Sequence, residues 1–185
     1  MAAINLFSGL GNDYHAAQQL VIWVTGAGCA IAGAPGSISG GFLADHVNRG
    51  YLYLLSGIAA AGCALAMALS PPSAPTFTWG VLAYNGAAGI SYAAFSALGL
   101  QLVGNRNPVA STVRSLFAAA TDGAIVYMTR LDGMGYHMFG TRGLLCVDAG
   151  LSVAAAIPLL LLVRSGLGRA HPTTGTAPSE PAEIG

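Results

Sequence analysis

The sequence contains no lysine, and charge of either sign is scarce: seven arginines and seven acids, 8% of 185 residues. A soluble domain carries about 25% charged residues. So few ions cannot cover a surface in water, so most of the exterior must face lipid. This is the composition of an integral membrane protein, whose first partner is the bilayer. A formal net charge of zero leaves no basic footprint for nucleic acid. Cysteine is scarce too. Cys29, Cys63 and Cys146 each fall in an apolar run and lack metal-ligand spacing. They are expected as small core residues, and neither a metal nor another cofactor is expected. The N-terminus lacks a basic n-region, which excludes a cleavable signal.

Enzyme chemistry is poorly provided for. "SISG" at 37–40 places Ser37 where an intramembrane serine protease has glycine, and no membrane-embedded histidine is available as a base. His15, His137 and His171 fall in expected loops or the tail. Asp122 and Asp148 lack the surroundings of an aspartyl-protease pair. No enzyme activity is expected.

What is present is long apolar runs. About 20 apolar residues cross the hydrocarbon core as a helix, and five stretches qualify: 19–42, 51–70, 77–103, 109–129 and 142–163. Their evenness excludes a membrane β-barrel. The breaks are "SPPSAP" (70–75), "GNRNP" (104–108) and "LDGMGY" (131–136), all turn-forming. "MAAINLF" reads as the last turns of a further helix. The expected fold is all-α, a multi-pass bundle of five full spans plus that partial N-terminal helix. Residues 1–167 form the transmembrane domain. Residues 168–185, rich in Pro, Thr, Ala and Gly, form a disordered tail.

Arg49, Arg106, Arg114, Arg164 and Arg169 fall on one side of this topology, against Arg130 and Arg142 on the other. Basic loops stay inside, which puts the C-terminus in the cytoplasm and the protein in the plasma membrane, the inner membrane of a Gram-negative cell.

One short loop stands out. "GGFLADHVNRG" (40–50) holds an acid, a histidine and an arginine between two uncharged deserts. It resembles the signature loop of the major facilitator superfamily, roughly G-x-L-A-D-R-x-G-R-R/K. Gly41, Leu43, Ala44, Asp45 and Arg49 match. His46, Asn48 and Gly50 depart from the pattern. The resemblance implies the C-terminal half of such a transporter, from the end of helix seven to helix twelve. It further implies movement of a small solute by alternating access, proton or ion coupling, and a missing N-terminal six-helix half as partner. The other reading is a non-transporting membrane subunit that needs a separate partner half.

The loop has a physical logic of its own. Gly41 permits close helix approach. Asp45 is placed to accept from the N-terminus of the fourth span near Ala110 and Ser111, with Arg49 and Arg114 as ion partners. Such a cluster would be a gate; the alternative is a solvated loop that stops translocation by charge.

Three further sets matter. Gly28, Ala32, Gly36 and Gly40 make a small-residue stripe beside Pro35, suited to tight packing or to rocking. Asn85, Gly89, Tyr92 and Ser96 share one helix face beside Tyr84. That face is expected to point inward, for substrate contact or for interhelical bonding. Asp122, a charge in the fourth span, is expected to face inward and be paired. Tyr84, Asn85, Tyr92 and Asp122 are therefore the candidate cavity or coupling residues. Asp148 ranks below Asp122, as an outer-interface residue that pairs with Arg142 or caps its helix.

Overall fold

A computed structural model describes residues 3–103 and 110–164, and these are 91% helix with no strand. The opening segment is a 3-10 turn, Ala3–Leu6, leading into α1 (Phe7–Leu10). The long rods follow. Helix α2 (Gln18–Trp23), a π turn (Val24–Gly28) and α3 (Cys29–His46) run as one continuous rod. Next come α4 (Arg49–Leu69), α5 (Ala74–Val103) and α6 (Ala110–Arg164). The chain remains helical through Pro35, and the irregular stretch is the π turn upstream of it.

Helix α6 is two helices in succession. At Gly140 the backbone takes φ 66°, ψ −155°, which glycine adopts without the steric penalty of a Cβ. The rod breaks there into a first arm, 110–139, and a second arm, 141–164. This corrects the expected turn at "LDGMGY": residues 131–136 are helical. Gly135 in that stretch packs on the backbone of Gly143 across the hairpin, so its small size serves close approach instead of a turn.

Among the described residues, three helices are long and apolar enough to cross a membrane: Gln18–His46, Arg49–Leu69 and Ser111–Leu161. The last contains the Gly140 break. Helix α5 runs for 30 residues and carries Asn85, serines and glycines along its length. Large apolar side chains point outward along the rods, among them Ile22, Trp23, Ile31, Ile38, Leu55, Trp79 and Leu161. Contiguous apolar surface of this kind is foreign to a soluble monomer and suits lipid.

The packing order is α3 on α5, α5 on α4, and α4 on α6. The α3–α5 seam is made by the small-residue stripe. A methyl group at Gly36 would run into the carbonyl of Gly86, one at Gly40 would come 2.8 Å from the Cα of Ile90, and one at Gly89 would strike Gly33. In lipid, where burial of apolar surface gives no drive to associate, such backbone-to-backbone contact supplies the packing.

The main core lies on the other side. Phe7, Leu10, Tyr14, Phe77, Val81, Tyr84, Leu144 and Leu145 are all buried together, so the opening segment plugs one end of the bundle. The cysteines depart from expectation: Cys29 and Cys63 are half-buried and Cys146 is exposed. Residues 104–109 and 165–185, which hold the "GNRNP" turn, Arg106, Arg169 and the tail, lie outside the described residues.

Candidate functional site

The two buried acids of the described bundle meet in one place. Asp132 is on the first arm of α6 and Asp148 on the second, equally far from Gly140 along the chain. Folding back at Gly140 brings the two arms side by side, and with them these two acids. Both are fully buried, and each lies within the other's electrostatic reach. From α5, the fully buried Tyr84 donates its hydroxyl to Asp148 Oδ2 at 2.8 Å. From the opening segment, the Ala3 N–H approaches Asp148 Oδ1 at 3.5 Å. The Phe7 ring meets Tyr84 edge-on, with centroids 5.2 Å apart and planes at 89°. That contact fixes the phenol's direction.

Asp132 differs from its neighbour. Neither of its carboxylate oxygens has a hydrogen-bond partner. Buried polar groups are almost always bonded, and an unbonded one marks a site where something else acts. Tyr84 lies ten residues into α5, about 15 Å from the helix start at 1.5 Å per residue.

A second polar cluster closes the end of the bundle above the first. Asp13 accepts hydrogen bonds from Tyr136, at 2.9 Å, and from Thr141. Tyr14 donates to the Met67 carbonyl at 2.9 Å, tying the opening segment to the end of α4. Burial pushes the Tyr14 phenol above its ordinary value, so it stays a donor; nearby Arg142 works against that shift and Asp13 with it.

The expected gate is at the opposite end. Helices α3 and α4 are joined through Val47 and Asn48 alone. The Asn48 side chain caps α4 by accepting from Gly50 N–H at 3.0 Å and Tyr51 N–H at 3.4 Å. Arg49 carries the contact between elements. It donates to the Ala44 carbonyl at 3.3 Å and to the Ala97 carbonyl of α5 at 3.2 Å. Asp45 is exposed and stands 4.0 Å from Arg49. Arg114 is exposed on α6 and, among the described residues, forms no ion pair with Asp45. So the structure joins Asp45 to Arg49, and Gly41 lies half-buried one turn before them. The cross-bundle tie is made by the arginine to a carbonyl, because α3 faces α5 while α6 lies beyond α4.

The proposed cavity residues separate. Tyr84 joins the carboxylate cluster. Asn85 is buried but spends its amide on the Val81 carbonyl of its own helix, at 2.8 Å. Gly89 is buried in the α3 seam, while Tyr92 and Ser96 are exposed. The shared face therefore runs from a seam to an open surface. Asp122 is exposed on the first arm. The buried position expected of it belongs to Asp132 and Asp148. Asp148 is buried in the bundle, while Arg142 is exposed. The sequence signal that could have found the pair is their equal spacing about Gly140, visible only once that glycine is known to be the turn.

Among the described residues no cluster of three metal-ligating side chains occurs. The site thus belongs to an all-helical bundle with lipid-compatible outer faces and buried acids. No family model, no curated protein and no solved structure matches the chain.

Proposed function

We propose that this chain is the membrane-embedded half of a secondary transporter, moving a small solute by alternating access, with Asp132, Asp148 and Tyr84 as its proton-coupling site. The observation that carries the reading is Asp132, fully buried with both oxygens unbonded. A carboxylate buried in a bundle without a hydrogen bond costs several kcal/mol when ionised. A proton arriving there removes that cost, and its departure restores it. A group whose burden depends on one small ion is what coupling requires.

Asp148 has a different role. Its hydrogen bonds from Tyr84 and the Ala3 N–H hold it in place, and its charge sets the field that Asp132 feels. The loop resemblance to the major facilitator superfamily supports the same reading, with Arg49 and Asp45 as the inner gate. In this scheme a second six-helix half faces the first, the membrane is the plasma membrane, and the tail lies in the cytoplasm.

The test is proton flux. The protein is reconstituted in vesicles loaded with a pH-sensitive dye and challenged with a panel of small solutes. The expected result is solute-dependent proton entry that Asp132→Asn removes while solute exchange persists. Proton entry unchanged in Asp132→Asn would remove that residue from the mechanism. Absence of any solute-dependent movement, with or without a co-expressed second half, would overturn the transport reading itself.

A further inference from the structure

The same bundle holds a separate cavity. It has a volume of about 410 Å³ and lies between α4, α5 and both arms of α6. Ligand pockets run from about 300 to 1,000 Å³, so it is large enough for a small organic molecule. Its walls are aromatic and aliphatic: Tyr53, Tyr92, Phe95, Phe117, Met128 and Leu159, with small residues between them. No lining residue carries a charge, and neither Asp132 nor Asp148 reaches it.

The hydroxyls at this cavity divide into two kinds. Ser91 gives its proton to Ser56 at 2.6 Å, and Thr121 gives its own to the Phe117 carbonyl at 2.8 Å. Those donors are spent. The phenol groups of Tyr53 and Tyr92 and the hydroxyl of Ser152 make no hydrogen bond to the protein among the described residues. Tyr53 is held instead by its ring, 5.7 Å from Phe95. Two phenol donors thus face an uncharged apolar space.

We infer that this cavity binds a neutral, aromatic small molecule bearing a hydrogen-bond acceptor. A charged ligand would lose its hydration and gain no counter-charge. A flat ring gains offset or edge contacts with the tyrosines and phenylalanines. A carbonyl or ether oxygen takes the free phenol protons. Where the transport reading holds, on which only this last step rests, the same chemistry defines the class of solute carried.

The experiment uses the whole chain in lipid nanodiscs and the fluorophore prodan, a neutral naphthalene ketone whose emission reports polarity and hydrogen bonding. Empty nanodiscs give the lipid background. The expected result is saturable binding of one prodan per chain. A quaternary-ammonium naphthalene and a naphthalene sulfonate should each bind at least about tenfold more weakly. Ala124→Phe, which fills the space, should abolish the saturable component. Tyr53→Phe and Tyr92→Phe, which keep the rings, should weaken binding several-fold and shift bound emission to the blue. Equal affinity for the charged analogues would overturn the inference. So would binding no greater than that of empty nanodiscs, or binding indifferent to both the filling variant and the two tyrosine variants. Binding is read without proton movement, so a chain that binds prodan but fails the flux test separates the two readings.

Discussion

The two sides of α5 are built on opposite plans. Toward α3 the helix presents Gly86 to Gly36, Gly89 to Gly33 and the backbone of Ile90 to Gly40, so that backbone meets backbone. Toward α4 and α6 it presents Tyr84 to a buried carboxylate and Tyr92 to an open cavity. The first side leaves no room and has no charge. The second keeps both room and an unbonded acid. A seam packed backbone on backbone resists change, whereas a side that holds space and an unbonded acid has room for it. Under the transport proposal, α3 with α5 is the scaffold and the α6 hairpin the working part.

The largest expected effect is on the scaffold. Gly36→Leu drives a side chain into the Gly86 backbone, which cannot withdraw as a rotamer can. We expect a loss of about 3 kcal/mol or more, beyond ordinary overpacking, read by unfolding in detergent through Trp23 and Trp79 fluorescence. A wild-type midpoint in that variant would break the comparison at its rigid side.

On the working side, Tyr84→Phe removes the hydroxyl that Asp148 accepts. A hydrogen bond to a charged group contributes about 1.5–3 kcal/mol, and a loss of that size is expected in the same unfolding measurement. An unchanged midpoint would mean that Asp148 finds another donor. The proposed gate comes next. Arg49→Ala breaks the tie to the Ala97 carbonyl and should cost about 1 kcal/mol. Asp45→Asn alters only a long, exposed pair and should cost about 0.5 kcal/mol or less. In the flux assay Arg49→Ala should likewise slow transport more than Asp45→Asn does. The reverse order would return the latch to the carboxylate.

The smallest effect is assigned to Asp122→Asn. The side chain is exposed, so stability should stay within about 0.5 kcal/mol and proton coupling should be unaltered. A coupling defect there would move the working site from the hairpin interior to the outer face of the first arm.

Much of the bundle was legible in the sequence, and the misses have one origin. The "SPPSAP" break, the short connection after His46 and the small-residue stripe of α3 all depend on local chemistry: proline without a donor, a cap, glycine without a Cβ. The turn of α6 did not, because "LDGMGY" sets two glycines beside an aspartate, while Gly140 lies between Phe139 and Thr141. Turn propensity favours the former. The hairpin chose the latter because Gly135 was needed where the arms touch Gly143. With the turn misplaced, Asp132 read as a loop residue, and Asp122 took the inward role.

Scarcity of charge, an all-helical chain and outward apolar faces were properties of the sequence alone, since they follow from composition and from the length of uninterrupted apolar runs. Which acid is buried, which phenol it meets and where a cavity opens were decided only in the tertiary structure. Those outcomes depend on which helix faces which: a turn moved by a few residues rotates an arm and exchanges its inner face for its outer one.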